Sequence, residues 1–389
     1  MKFDTIIDRR GTHSSKWDGM EKIYGVSPED GLSMWVADTD FRPPKCVGDA
    51  LQGMIDHGVF GYFSDETDYR AAICWWMKNR HGWSFDPKAI FTTHGLVNAV
   101  GICLEAYTAP DDGVVIFTPV YHAFARIISA SGRKVVECPL VDNNGRYEMD
   151  FAAYDAKMTG KETMLILCSP HNPGGRVWTR GELEAVVAFA IRHDLTLVCD
   201  EIHHDVVFDG AKHTAMPLIE GVTDRLVMLT APSKTFNIAG AYTGNAIIED
   251  PDLHQKFAAR MSALSLSPNS FGLVATTAAY SPEGAEWVDS LVAYIAENKR
   301  IFDEGINAIP GLKSMHLEAT YLAWVDFAGT GMSMSEISER VAKVARIATN
   351  QGPTFGTGGE VHLRFNIGTQ RSRIQEAVSR MQAAFGDLQ

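Results

Sequence analysis

A lysine, an aspartate and an asparagine each follow a run of apolar residues, and their side chains offer three chemistries that one ligand can use together. Lys234 stands in Thr230-Ala231-Pro232-Ser233-Lys234-Thr235-Phe236-Asn237, directly after Leu226-Val227-Met228-Leu229. An ammonium at the end of a buried strand is costly to desolvate. Its pKa therefore falls, and the neutral amine becomes a nucleophile able to form an imine with an aldehyde. Taken alone, the same lysine also fits a solvated turn. Asn172 lies in Ser169-Pro170-His171-Asn172-Pro173-Gly174-Gly175 after Met164-Leu165-Ile166-Leu167-Cys168, and Asp200 follows Leu195-Thr196-Leu197-Val198-Cys199.

The elements that must position these residues can be read from their spacing. The three apolar runs are separated by about one strand-helix-strand unit, roughly thirty residues. In a doubly wound parallel sheet the carboxyl ends of such strands border one crevice, so Asn172, Asp200 and Lys234 are expected to face one ligand. Thr179 and Glu182 form a capping box ahead of Leu183, Val186, Val187 and Ala190, which predicts a helix joining the Asn172 loop to the Asp200 strand. Helical and short apolar patterns alternate from about Pro43 to Tyr280, as in an α/β sheet with crossover helices. After about Pro282 the pattern shifts to a long helix, strands over 321–325 and 361–365, and a helix over 335–348, read as a smaller α+β unit.

An imine-forming lysine, a carboxylate able to keep a ring nitrogen protonated and an amide able to bond a phenolic oxygen are the groups that pyridoxal 5′-phosphate requires. Asn172-Pro173-Gly174, Asp200-Glu201-Ile202 and Ser233-Lys234-Thr235-Phe236, in this order, resemble the fold-type I pyridoxal-phosphate enzymes of aminotransferase class I/II. Ile7-Asp8-Arg9-Arg10-Gly11-Thr12, Lys16-Trp17-Asp18, Met34-Trp35-Val36-Ala37-Asp38-Thr39-Asp40-Phe41, Gly58-Val59-Phe60-Gly61-Tyr62 and Pro119-Val120-Tyr121 narrow the likeness. They are similar to the MalY/PatB type of cysteine-conjugate carbon–sulfur lyases, and the match spans essentially the whole chain.

The resemblance implies a pyridoxal-phosphate-dependent transferase-like α/β fold, with an arm at 1–42, a large cofactor-binding domain at 43–282 and a small domain at 283–389. It implies that Lys234 holds the cofactor as an imine and then removes the substrate Cα proton, while Asp200 pairs with the pyridine nitrogen and Asn172 with the phenolic oxygen. Tyr121 stacks on the ring and faces the substrate. Gly95, Leu96 and Val97 offer backbone amides to the phosphate at the start of a helix over 97–107. Ser233 adds a hydroxyl, and Tyr62 reaches the phosphate from the partner subunit of a homodimer. Arg364 clamps the substrate carboxylate, and Ala37 lines the substrate side of the cleft. Many aminotransferases carry a phosphate-binding arginine where this chain has Tyr242, a departure that favours lyase over transaminase. No role is assigned to His122, and the glycine-rich loop over 355–359 is expected to be mobile near the substrate.

The activity implied is β-elimination of L-cystathionine or a related cysteine S-conjugate to thiol, pyruvate and ammonia. An aminotransferase on the same cofactor and a non-enzymatic, cofactor-binding regulatory protein are the alternatives. Composition trims the choices. The chain has 389 residues, 46% of them hydrophobic, and a net charge of −13. That charge argues against nucleic acid or anionic membrane as a partner. The start of the chain shows no leader pattern, so a cytoplasmic location is expected. Six cysteines without a Cys-x-x-Cys pair read as free thiols, and no metal site is expected, since adjacent His203 and His204 on a strand would point to opposite faces.

Overall fold

The structure is a computed structural model that describes residues 2–208 and 210–388. Its strands in chain order are β1 (Leu32–Ser33), β2 (Ile90–Thr93), β3 (Gly113–Ile116), β4 (Lys134–Glu137), β5 (Val141–Asp142), β6 (Tyr147–Glu148), β7 (Glu162–Cys168), β8 (Thr196–Asp200), β9 (Leu226–Thr230), β10 (Gly244–Ile247), β11 (Lys313–Ser314), β12 (Leu322–Asp326), β13 (Ile347–Ala348), β14 (Asn350–Gln351) and β15 (His362–Asn366). The helices that matter for the site are α1 (Thr67–His81), α2 (Leu96–Tyr107), α3 (Arg180–Arg192), α4 (Pro282–Asn307), α5 (Met334–Glu339) and α6 (Arg371–Ala384).

Seven strands pair in the order β2-β10-β9-β8-β7-β3-β4, and every neighbouring pair is parallel except the two made by β10. Nearly all of β7, β8 and β9 is buried, which explains why these strands read as continuous apolar runs without alternation. The Thr179–Glu182 capping box is formed and starts α3, whose Leu183, Val186, Val187, Phe189 and Ala190 are buried. A second sheet, β11-β12-β15-β14, is antiparallel throughout. The long helix α4 lies in this second part of the chain and packs against α6. Among the described residues no helix is long and apolar enough to cross a membrane.

The helix expected over 335–348 is shorter than its pattern. α5 stops at Glu339, a π-helical turn spans Arg340–Val344, and Arg346 adopts a left-handed φ of 53°. Ile347 and Ala348 then pair in parallel with Leu32 and Ser33. Pairing with the N-terminal arm supplies backbone partners that outweigh the local helical preference of these residues.

The arm is pinned by a buried ion cluster made from its own motifs. Asp40 receives Lys16 Nζ at 3.0 Å, Arg9 Nη1 at 2.9 Å and Trp17 Nε1 at 3.0 Å, with Arg373 Nη1 at 3.3 Å. Burial alone would raise the Asp40 pKa, but Lys16 and its other partners hold the carboxyl well below the usual range. Two carboxamides fix the arm nearer the cleft. Asn237 Nδ2 donates to the Thr39 and Phe41 carbonyls, and its Oδ1 accepts the Thr39 N–H. Asn366 Nδ2 donates to the carbonyls of Val36 and Asp38.

Candidate active site

β7, β8 and β9 end side by side, and the residues that follow them carry the chemistry. Ser169 N–H donates to the Asp200 carbonyl at 2.9 Å and Glu201 N–H to the Leu229 carbonyl at 3.0 Å, so sheet pairing continues to the point where the chain turns away. Beyond these ends lies a cavity of about 170 Å³. Lys234, Asp200, Asn172, Ser233, Tyr121, Ala37 and the Gly95, Leu96, Val97 segment all line it. Arg364 borders it, with Nη1 donating to Asn172 Oδ1 at 3.1 Å. Tyr62 is not among them; its ring is fully exposed on the surface of its own chain.

The half-buried Lys234 donates from Nζ to the Ala37 carbonyl at 2.8 Å, and that carbonyl also accepts the Tyr321 hydroxyl at 3.0 Å. Burial pushes the Lys234 pKa down to about 8, with Asp38 and Asp200 pulling it back and Arg364 adding to the fall. Burial also raises Asp200, to about 6. Its Oδ1 accepts the Ile202 N–H at 3.1 Å. This buried carboxylate would gain most from a cationic partner within the cavity.

Gly95 caps α2 with φ 85°, a left-handed value that suits glycine, and no side chain caps the helix. A Cβ on Gly244 would stand 2.6 Å from Leu96 Cδ2 and 3.1 Å from the Gly95 carbonyl carbon, so β10 approaches the helix start as only glycine allows. The described residues lining the cavity include no arginine. Positive potential for an anion there comes from the amides and dipole of the twelve-residue α2. Tyr242 lines the same cavity in a left-handed conformation, φ 45°.

Arg364 sits on β15 opposite Trp324 and Asn350. Its Nη2 donates to Asn350 Oδ1 at 2.6 Å and the Trp35 carbonyl at 2.8 Å, and Phe355 lies 5.1 Å from its guanidinium carbon. Burial lowers its pKa to about 10, so it stays cationic at neutral pH. The 355–359 loop, expected to be mobile, is packed in place. Phe355 is buried, its carbonyl accepts the Val120 N–H at 2.8 Å, and a Cβ on Gly356 would stand 2.9 Å from both Glu137 and Thr118. His122 packs edge-on to Tyr121 and Phe355, and burial lowers its pKa to about 4.

Sequence reasoning missed His203 as a cavity residue by placing it on a strand. The chain after β8 instead forms consecutive tight turns, with His204 N–H bonded to the Glu201 carbonyl and Val206 N–H to that of His203. His203 thus lines the cavity three residues past Asp200, a spacing that a turn places on one side. The turns also bring His204 together with His81 and His213, a grouping absent from the reading that expected no metal site.

Two buried polar atoms at the cavity have no hydrogen-bond partner among the described residues, His203 Nδ1 and Arg364 Nε. Such atoms are costly unless a ligand meets them. Residues 34–381 match the profile of aminotransferase class I and II. The chain belongs to this family. It is 38% identical to the cystathionine beta-lyase PatB of Bacillus subtilis (strain 168), covering 99% of this chain and 100% of that protein. Among solved structures it resembles cystalysin from Treponema denticola, which contains pyridoxal 5′-phosphate, with a TM-score of 0.94, 36% identity and coverage of 100% and 99%. The pyridoxal-phosphate-bound C–S lyase from Staphylococcus hominis gives a TM-score of 0.90 at 29% identity, covering 98% and 97%. The cofactor is pyridoxal 5′-phosphate, and the amine, carboxylate, amide and helix start of the cavity fit it.

The lowered lysine pKa has a measurable sign. Below about pH 8 the Lys234 amine is protonated and inert, and above it the amine is free. Attachment of pyridoxal 5′-phosphate to the cofactor-free protein, followed by stopped-flow absorbance, is expected to accelerate with pH and level off near that value. An ordinary lysine would carry the rise to about pH 10.4, and a rate still climbing beyond about pH 9 would contradict the assignment.

Proposed function

We propose that the protein is a pyridoxal-phosphate-dependent carbon–sulfur β-lyase that releases thiol, pyruvate and ammonia from L-cystathionine or a related cysteine S-conjugate. The observation that carries this reading is the convergence of Lys234, Asp200 and Asn172 on one cavity bordered by Arg364. When bound, the cofactor supplies an aldehyde for the substrate amine and an electron-accepting ring for the charge left at Cα.

The chain's own groups do the rest. Arg364 receives the substrate carboxylate, for which its Nε, unpartnered among the described residues, is available. Lys234, neutral at mildly alkaline pH, takes the proton from Cα. Asp200 holds a proton on the ring nitrogen, and Asn172 donates to the phenolic oxygen. Arg364 on Asn172 Oδ1 leaves the Asn172 amide N–H groups as its donors toward the ligand. Tyr121, which lines the cavity, would stack on the cofactor ring. Gly95, Leu96 and Val97 would receive the phosphate together with Ser233, and Ala37, which lines the cavity, fixes the lysine through its carbonyl. With the Cα proton gone, the Cβ–S bond breaks, the thiolate leaves, and the remaining aminoacrylate takes up water to give pyruvate and ammonia.

A homodimer belongs to the same proposal, with Tyr62 of one subunit reaching the phosphate site of the other. Its support is an exposed apolar surface at Val59, Phe60, Tyr62 and Phe63, with Phe60 against Phe271. In the same proposal the chain divides at 42 and 282 into arm, large domain and small domain, a reading supported by the two separate sheets and the β1–β13 pairing. A cytoplasmic location fits six free cysteines.

Incubation with L-cystathionine and no added 2-oxo acid is expected to yield thiol, pyruvate and ammonia in equal amounts. Rapid turnover of a non-sulfur amino acid with a 2-oxo acid, and no thiol from a panel of S-conjugates, would overturn the reading. Arg364→Ala is expected to lower kcat/KM by about ten- to a hundredfold, mainly through KM, since a charge-assisted bond is worth about 1.5–3 kcal/mol. An unchanged KM would remove Arg364 from substrate binding. Light scattering of the active enzyme is expected to give the mass of two chains, and a monomer with full activity would exclude the role of Tyr62.

A further inference from the structure

The turn after β8 has a second side, which the lyase chemistry does not use. Glu201 and Asp205 lie there with fully buried side chains, and neither lines the active-site cavity. Among the described residues, their ion-pair partners are histidines alone. His213 Nε2 is 2.7 Å from Glu201 Oε2, and His81 Nε2 is 2.9 Å from Asp205 Oδ1. His204 stands between the two carboxylates, with Nδ1 3.8 Å from Glu201 and Nε2 3.4 Å from Asp205. Among the described residues neither of its ring nitrogens has a hydrogen-bond partner, although the side chain is wholly buried.

The three histidines come from different places, the end of α1, the turn after β8 and the loop beyond it, yet one ligand nitrogen from each lies within 4.8 Å of the others. They border a separate cavity of about 450 Å³, open enough to admit an ion. We propose that His81, His204 and His213 bind one divalent transition-metal ion of the zinc type, with Glu201 and Asp205 orienting the rings and balancing the charge. Imidazole is a favoured ligand for zinc, nickel and copper, and carboxylates behind ligating histidines are the usual outer partners. Ligation requires the imidazoles in their neutral form, and with the rings in that form the two buried carboxylates carry two negative charges, which one divalent ion balances. Tetrahedral nitrogens about 2.1 Å from zinc stand about 3.4 Å apart, so the nitrogens have to draw in by up to about 1.4 Å, and His81 and His204, whose rings stack with centroids 4.0 Å apart and planes at 28°, have to turn so that both aim at one ion.

The ion would brace the turn that the active site hangs on. Asp205 also accepts the Thr235 hydroxyl at 2.7 Å and the Trp76 indole N–H at 3.1 Å, and Glu201 accepts the Met216 N–H at 2.7 Å. Thr235 adjoins Lys234, and Glu201 adjoins Asp200.

The holoenzyme, stripped with a chelator, is titrated with zinc chloride by calorimetry, and zinc X-ray absorption counts the imidazole ligands. One ion per chain with three imidazoles is expected, together with a zinc-dependent rise in Tm. Affinity should fall about 100-fold or more in His204→Ala and in His213→Gln, because each removes a direct ligand. If His204→Ala does not fold, His213→Gln and the absorption spectrum of the unaltered chain decide. The site is overturned if one equivalent of zinc does not bind, if the spectrum shows no set of imidazoles, or if folded His213→Gln binds zinc as tightly as the parent.

Discussion

The carbonyl of Ala37 accepts the Lys234 amine, and the cleft is arranged around that contact. A desolvated amine needs an acceptor, yet an acceptor that held it as a full ion pair would keep it protonated and unreactive. A neutral backbone carbonyl meets the first need without the second. Its position is set from two sides. Asn237, three residues past the lysine, grips Thr39 and Phe41, while Asn366 at the end of β15 grips Val36 and Asp38. Ala37 is therefore suspended between the lysine loop and the four-stranded sheet. The Asp40 cluster secures the same stretch from behind, where three cations and an indole N–H satisfy one buried carboxylate.

The two sheets contribute different halves of the site. The seven-stranded sheet ends in Asn172, Asp200 and the Lys234 loop, the groups proposed to face the cofactor, whereas Arg364, proposed to face the substrate carboxylate, rises from β15. A hydrogen bond from Arg364 Nη1 to Asn172 Oδ1 joins these groups directly. It also orients the asparagine: with its oxygen committed to a guanidinium, the amide presents donors to the cavity. The relative position of the two sheets thus bears on both ligands at once, and the arm, bonded to Asn237 on one side and Asn366 on the other, helps hold it together with the backbone bonds of Gly175 and Val206 to residues 318–320.

Much of this is legible in the sequence, for a physical reason. A strand buried on both faces reads as an apolar run, and a polar residue at its carboxyl end has few reasons to be there other than a ligand. Lys234, Asp200 and Asn172 stand in that position. The capping box of α3 was equally readable because it is a local pattern. Ile347 and Ala348 were misread because pairing with Leu32 and Ser33 is a contact that no local window contains. His203 escapes a strand reading because the chain turns after β8, and the packing of Phe355 against Trp324 and Arg364 is invisible to composition. His81, His204 and His213 meet only because the turn after β8 passes the end of α1.

Asp200 and Glu201 show how one strand end serves two environments. Successive residues leaving a strand point to opposite sides, so one carboxylate enters the cavity and its neighbour turns toward the histidines. Both are buried, and burial pushes both pKa values up. Asp200, with Lys234 as a weak counterweight, stays raised at about 6 and so retains a need for a cationic partner. Glu201 is held below its ordinary value because His213 and His204 outweigh its burial. Exchanging the two surroundings would leave the cavity with a carboxylate already neutralised and nothing to offer a ring nitrogen. The order of these two acids, more than their presence, is what suits this strand end to its proposed chemistry.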